Sequence, residues 1–370
     1  MASTAGETNS TNSTNFVETE IAEGIWKYCS FVLIGVGTVG NVLAIFVLLR
    51  KNMRSSTTMF YLTVLAFADI VVLYTGLLRY WVKYVFEHDL RAVTTASCRV
   101  HLFLVYFSLD AAVWTMVVVT IDRAIFVCWP FRAKTFCTLR NARFVLAALI
   151  VVLGLVNVHF LWMIDIIVTD TGVVDCEVQA TLTGRQYWYA KVFHPWLDFC
   201  MFSFLPFSLM LVCNCLIIRQ MALSRRRLAA HAKRQEEKAT NVEIPTASNS
   251  RRISRKSRRL PRYCSSVTVT LLTVNMVFLL STSPIVVFLL GHDKWYDHGS
   301  AHARAVLGLI WAIVNMLQYL NNAIHFFLYC LTGPKFRREL VLLLRRKNKV
   351  DIIVEQSTTL EIYHTNTPGR

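Results

Sequence analysis

Asp122 and Arg123 are an adjacent acid and base standing 25 residues beyond Cys98. A continuous helix between them covers about 38 Å at 1.5 Å per residue, enough to cross a hydrocarbon core of about 30 Å. One helix would then carry a thiol at one mouth and an ion pair at the other. Two more acids, Asp69 and Asp110, lie inside apolar runs. An ionised carboxylate there costs at least about 2.5–3.5 kcal/mol, so each needs polar partners. Asn41, Asn321, Asn322 and His325 are available to Asp69. That set reads equally as hydrogen-bonded glue between helices and as an ion or proton site. In the second reading His325 titrates against Asp69 and shifts a conformational equilibrium with pH.

Catalytic chemistry has no comparable support. The chain carries no phosphate-binding glycine loop, paired-histidine zinc motif or nucleophile elbow. The stretch Gly291 to His298 with His302 offers two histidines, His298 and His302, at helical spacing, yet a solvated loop is the better reading than a metal site. No enzyme, cofactor or metal is expected.

Composition places these residues. Of 370 residues, 55% are hydrophobic and 17% charged, against about 45–50% and about 25% in soluble chains; mean hydropathy is +0.45. Lys and Arg number 39 against 23 acids, a net charge of +16. Such a surplus suits nucleic acid or an anionic membrane surface. Because grease and charge are segregated along the chain, the membrane is favoured and nucleic acid is not. Seven apolar stretches, near 27–49, 58–82, 98–128, 143–168, 194–219, 264–290 and 304–330, each approach the length of a membrane helix. No strand-length alternation suggests a barrel. The expected class is an all-α membrane protein: a seven-transmembrane helix bundle with a short amphipathic eighth helix. Its expected parts are an outer tail (1–25), the bundle (26–331) with a long basic loop (220–263), the eighth helix (332–347) and a second tail (348–370).

The loops set the orientation. Arg50, Lys51 and Arg54 follow the first stretch, and Arg132, Lys134, Arg140 and Arg143 follow the third, with no acid among them. The runs Arg225-Arg226-Arg227 and Arg251 to Arg259 fill the long loop, whereas the first 25 residues hold four glutamates and no Lys or Arg. The positive-inside bias puts the N-terminus outside and the C-terminus in the cytoplasm. No cleavable signal peptide is read at the start, so the first helix is expected to serve as its own insertion signal. Asn9 and Asn12, each followed by Ser-Thr, are glycosylation acceptors on the outer side. Cys98 and Cys176 are the two clearly extracellular cysteines and are expected to bridge. Cys128, Cys137, Cys200, Cys213, Cys215, Cys264 and Cys330 read as free thiols, and Cys29 has no assigned role.

Taken together, Gly40-Asn41, Leu65-Ala66-Phe67-Ala68-Asp69, Cys98, Asp122-Arg123, Pro206, and Phe278 six residues before Pro284 resemble the rhodopsin-like (class A) G-protein-coupled receptors. The seventh helix ends in Asn321-Asn322-Ala323-Ile324-His325-Phe326-Phe327-Leu328-Tyr329, then Cys-Leu-Thr-Gly-Pro-Lys-Phe-Arg-Arg-Glu-Leu. That ending is similar to invertebrate neuropeptide receptors of the FMRFamide-receptor type, in which Phe commonly replaces the seventh-helix proline. The resemblance runs from about residue 25 to 347. Several positions depart from it: Ala124 after the arginine, Thr282 for the sixth-helix tryptophan, His325 for asparagine, Ala112 at the polar third-helix position that helps hold sodium, Asn214 for the fifth-helix tyrosine, and no mid-helix tryptophan in the fourth.

The resemblance implies a multi-pass plasma-membrane receptor that activates heterotrimeric G proteins on binding an extracellular ligand, here a neuropeptide. Its pocket would take Asp110, His101, Tyr106, Arg79, Gln318 and Tyr319, with Trp81, Trp196 and Trp311 as weaker candidates. Asp110 would accept a basic group of the peptide or simply bond a neighbouring helix. Val105, where amine receptors place their aspartate, argues against a biogenic amine, and no lysine in the seventh helix excludes a retinal Schiff base. Coupling and activation would fall to Asp122, Arg123, Phe131, Phe278, Pro284 and Tyr329. The sixth-helix acid that pairs with the arginine is replaced near Cys264, implying a weakly locked inactive state. Receptor kinases and arrestin would act through Ser254, in Arg251-Arg252-Ile253-Ser254, and through Ser357, Thr358 and Thr359. After the seventh helix, Phe336, Leu340, Leu343 and Leu344 share a face opposite Arg337, Arg338, Arg345 and Arg346, as in a helix lying on the inner leaflet. Rival readings are a lipid or other non-peptide receptor of the same fold, a constitutively active receptor, and a seven-helix transporter or channel. The last would need a polar path, paired broken helices or repeat symmetry, none of which is evident.

Overall fold

A computed structural model describes residues 16–168, 174–178, 183–240, 268–289, 291 and 300–345. Seven helices are long and apolar enough to cross a membrane: Val17–Leu48, Thr57–Phe86, Thr95–Cys128, Leu139–Met163, His194–His231, Thr268–Leu289 and Ala301–Thr332. They are the first to seventh spans below. The third is central, packing along the second, fourth and fifth. Its first turn is fixed by a capping box in which Thr94 accepts from the Ser97 backbone and Ser97 accepts from that of Thr94.

Glycine sets the closest approaches. A Cβ at Gly37 would lie 2.5 Å from the end of the Leu73 side chain and 3.0 Å from Ala323, so the first span meets the seventh almost backbone to backbone and takes a Leu73 methyl of the second against its own backbone. At Gly76 a Cβ would meet the Tyr319 hydroxyl at 2.6 Å. Gly76 sits in a wider, π-type turn, Leu73–Leu77; such a turn shifts the register of the helix beyond it. Another, Phe199–Phe204 in the fifth span, includes Met201, whose carbonyl accepts the Trp114 indole at 2.9 Å.

Three boundaries differ from the hydropathy reading. Helix begins at Val17 rather than near 27, because the polar turn Val17–Gly24 rests on the start of the seventh span. There His302 Nε2 lies 3.1 Å from a Glu18 oxygen, and the His302 ring 5.3 Å from that of Phe16. The fourth span stops at Met163 instead of 168. Ile164–Val168 is strand β1, antiparallel to β2, Val174–Val178, with Ile166 opposite Cys176. Hydropathy cannot separate the two, since Ile-Asp-Ile-Ile-Val is as greasy as helix but β-branched. This hairpin is the β structure among the described residues of an otherwise helical fold. The fifth helix continues to Thr240, so 220–240 of the expected loop is helical. That stretch is rich in Ala, Arg, Gln and Glu, which favour helix.

At the far end of the third span a short helix, Pro130–Phe136, starts with proline in its first turn. After a break at Gly333, residues 334–345 are helical again, and buried Phe336 packs near Tyr329 and Phe326.

Candidate functional site

The end of the bundle that carries the hairpin is closed by a Cys98–Cys176 disulfide, with Cα atoms 5.9 Å apart. It ties β2 to the top of the third span, and Arg99 Nε donates to the Ile164 carbonyl at 2.8 Å beside it. Asp165 accepts from Thr95 at 2.8 Å. Those hydrogen bonds, Thr95 first and then the Ile166 backbone, hold its carboxyl below the usual range.

Arg79 is buried here, but its partner is a loop carboxylate rather than a pocket. The second span ends at Glu87 in a left-handed conformation, φ 54°, which turns the chain so that Asp89 returns over the helix. Asp89 receives two hydrogen bonds of 3.3 Å from Arg79 and others from Arg91 at 3.0–3.4 Å, and forms a longer ion pair with Lys83 at 3.8 Å. Burial pushes its carboxyl up, yet the Arg91 hydrogen bonds and the Arg79 and Arg91 charges outweigh that and hold it well below the usual range.

Deeper in, Asp110 accepts from Asn157 of the fourth span at 2.9 Å, the neighbouring-helix bond that was one of its two readings. Tyr106 stacks on Phe160 with centroids 4.5 Å apart and meets His194 edge-on at 6.1 Å. His159 lies 4.3 Å from His194. Asp198, which the sequence pattern does not single out, is an electrostatic neighbour of both Asp110 and Tyr106. His101 has a buried Nε2 without a hydrogen-bond partner. Tyr319 is buried against Gly76. Trp196 is exposed, and Trp311 packs on Phe288 at 5.6 Å.

The middle layer is polar. Asp69 is fully buried; Asn322 Nδ2 donates to one oxygen at 2.8 Å and His325 Nδ1 to the other at 2.6 Å. Asn41 Nδ2 donates to the Asn322 carbonyl at 2.8 Å, joining the first span to the seventh. Asn321 keeps a buried Oδ1 without a partner. Asp69, Ala112, Phe278, Thr282, Gln318 and Asn321 line a cavity of about 10 Å³, the size of one water. Gln318 thus faces this layer rather than the end of the bundle that carries the hairpin. A second polar cluster was also not expected: Asn275 of the sixth span donates to Thr120 at 2.9 Å and to Asn214 at 3.1 Å. Below Pro284, Phe278 meets Phe207 edge-on at 5.4 Å. Proline leaves the carbonyl four residues earlier without its backbone donor, and at Leu280 that carbonyl accepts from Ser283 at 3.5 Å.

At the opposite mouth Asp122 is saturated. Arg123 donates to it at 3.0 Å, Thr57 at 2.9 and 3.0 Å, and Thr58 at 3.1 Å. The guanidinium also covers the Phe126 ring at 4.7 Å, while its Nε finds no partner. Phe131 projects from the short helix, 87% exposed. Tyr329 is buried, its ring stacked 6.2 Å from His325 and its hydroxyl without a partner. Glu339, inside the last helical segment, accepts from Arg50 at 2.9 Å and Asn52 at 3.0 Å.

Among the described residues no group of three His, Cys, Asp or Glu is placed to hold a metal. Asn9, Asn12, Ser254, Cys264, His298, Ser357, Thr358 and Thr359 lie outside the described residues. A family model described as "7 transmembrane receptor (rhodopsin family)" matches residues 40–329. The FMRFamide receptor of Drosophila melanogaster is 23% identical over 328 residues, covering 84% of this chain and 52% of its own length. The thyrotropin-releasing hormone receptor of Gallus gallus is 30% identical over 200 residues, 52% of this chain and 48% of its own length. The chain spans about half the length of these curated relatives.

Proposed function

Because the chain belongs to the rhodopsin family of seven-transmembrane receptors, a family of receptors and not of enzymes, we propose that it converts binding of an extracellular neuropeptide into activation of a heterotrimeric G protein. In this reading the hairpin end faces outward, the Arg123 end faces the cytoplasm, and the protein resides in the plasma membrane with receptor kinases and arrestin as later partners. The observation that carries the reading is the latch at the Arg123 mouth: an arginine held by Asp122, itself held by two hydroxyls of the second span. In this reading the active conformer is the one in which Arg123 has left Asp122.

Peptide specificity draws support from the names of the two relatives. It is also supported by chemistry near the outer mouth, where Asp110 and Asp198 are electrostatic neighbours of Tyr106, whose ring stacks on Phe160 and meets His194 edge-on. Two acids beside aromatic faces suit a cationic side chain flanked by an aromatic one. Ligand then favours the conformer in which the sixth span has swung at Pro284 and Arg123 is free to meet the G protein.

The test is a peptide-library screen of cells expressing the chain, read by calcium and cAMP. A peptide response that disappears in Arg123→Ala at equal surface level supports the proposal. Responses to lipids but to no peptide overturn the ligand class. Solute flux that survives Arg123→Ala without G-protein signalling overturns the receptor reading.

A further inference from the structure

Two grooves open from the bundle toward the surrounding lipid. The larger, about 600 Å³, runs between the sixth and seventh spans past Pro284, Val287, Ile310 and Val314, and its lining holds no charge. The other, about 370 Å³, lies where the third and fourth spans meet the short helix Pro130–Phe136. Val118, Ile121 and Ile125 form one wall; Phe136, Phe144 and Val145 form the other. Phe136 is 60% and Phe144 77% exposed, so the groove is open along its side.

Its rim is charged. Arg132, Lys134, Arg140 and Arg143 are all exposed, and none has an acidic partner among the described residues. Residues 129–143 contain no acid. An arginine stands four residues before an exposed phenylalanine on both flanking helices, Arg132 with Phe136 and Arg140 with Phe144. That spacing puts charge and ring on one helix face. In the fourth span Arg140 sits one turn, about 6 Å, nearer the membrane edge than Phe144. The cation is therefore at headgroup depth where the ring is at chain depth. The carboxylate that touches the groove, Asp122, is taken up by Arg123, Thr57 and Thr58 and does not repel an anion at the rim.

We infer that this groove binds an anionic glycerophospholipid, with an acyl chain between the third and fourth spans and the phosphate head on Arg132, Lys134, Arg140 and Arg143. The occupant bridges the loop helix to the fourth span and so fixes the helix that presents Phe131. Placing it in the cytoplasmic leaflet rests on the orientation proposed above; the site itself does not.

Native mass spectrometry of the full-length protein in detergent, titrated with phosphatidylserine or phosphatidylcholine of identical chains, tests this without agonist, G protein or topology. A failed ligand screen therefore leaves the readout intact. Near an anionic surface each cation is worth about fivefold in affinity. Arg140→Gln with Arg143→Gln should lower phosphatidylserine retention about 25-fold, while neutralising Arg225, Arg226 and Arg227 leaves it unchanged. Val145→Trp, which fills the groove and keeps every charge, should lower retention of both lipids, with Val145→Phe as the milder variant where tryptophan reduces the melting temperature. The inference is overturned by equal retention of the two lipids. An equal loss in the Arg225-Arg226-Arg227 variant also overturns it, as diffuse attraction, and so does glycerophosphoserine binding as tightly as the whole lipid.

Discussion

His325→Leu tests whether the middle of the bundle is held by a polar pair or by packing. Asp69 and His325 are both fully buried, with Nδ1 donating at 2.6 Å, and Asn322 serves the other carboxylate oxygen at 2.8 Å. The substitution leaves one oxygen of a buried carboxylate without a donor. Losing a hydrogen bond to a charged group costs about 1.5–3 kcal/mol, and removing one member of a buried pair about 3–5 kcal/mol. The two ranges meet near 3 kcal/mol. At roughly 2–4 °C per kcal/mol, the thermal midpoint of the detergent-solubilised chain should fall by about 6–12 °C. Asp69→Leu should cost at least as much, since it strands both the imidazole and the Asn322 amide. The double variant Asp69→Leu, His325→Leu leaves the Asn322 amide without its acceptor but should recover the part of the loss that belongs to the pair, because a buried pair replaced by apolar side chains is often near neutral. A coupling of at least about 2 kcal/mol is therefore expected from the double-mutant cycle, measured by thermal inactivation. Additivity within about 0.5 kcal/mol, the value for independent sites, would refute the reasoning, because the two side chains would then not meet in the folded protein.

Three further outcomes rest on named hydrogen bonds and ion pairs. The Asp89 carboxyl lies below its ordinary value of about 3.9, so its stabilisation is present above that value and is lost as pH falls through the folded one. The melting difference between wild type and Asp89→Asn should hold from pH 7 to 5 and shrink below about pH 4; shrinkage between pH 7 and 5 contradicts it. Glu339→Gln weakens the bond to Arg50, worth about 1.5–3 kcal/mol, and amide exchange of residues 334–345 should accelerate roughly 10- to 100-fold. Asn275→Ala removes two interhelical hydrogen bonds of about 0.6 kcal/mol each in membranes. Ligand-free signalling should rise up to about sevenfold at matched surface level, and an unchanged basal signal counts against a restraint at that position.

Seven spans were legible because about 20 apolar residues in a row have few other uses. The disulfide was legible because the positive-inside reading leaves only two cysteines clearly on the side it expects to face outward. The features that escaped reading share a physical cause. Asn275 is a single polar residue in an apolar helix, and Thr57 and Thr58 end a Ser-Ser-Thr-Thr run that reads as a helix start; membrane helices tolerate both for many reasons. Only a partner contributed by another span, such as Thr120 or Asp122, gives them a role. Arg79 was misplaced for the complementary reason: nothing in its own helix announces that Asp89, beyond a left-handed turn, will fold back onto it. Glu339 is hidden in a segment whose apolar and basic faces dominate its pattern, though it is 2% exposed and anchors that segment to the first loop.

The polar ties also divide the bundle in a way that bears on how it moves. Asn41, Asp69, Asn322 and His325 bind the first, second and seventh spans to one another. Asn157 joins the fourth span to the third, and Asn275 joins the sixth to the third and fifth. Between the two sets lie the apolar side chains of Leu109, Val113, Met116 and Phe278, with the small cavity beside Asp69. Thr75 with Ser108 and Thr57 with Asp122 link the sets nearer the two ends. Apolar packing resists sliding weakly, because a side chain that leaves one neighbour meets another, whereas a buried hydrogen bond in lipid must be remade or left open. Swinging the sixth span away from the third therefore has to break the hydrogen bonds of Asn275, about two and a half turns along the helix from Pro284. Ser281 and Ser283 lie nearer the proline and bond within their own helix, to Phe278 and Leu280. They add no tie to a neighbour. In the mechanism proposed above, a ligand acting near Pro284 would have leverage against a restraint set well below it, and the proline, its freed Leu280 carbonyl relieved by Ser283, is where that helix bends at least cost.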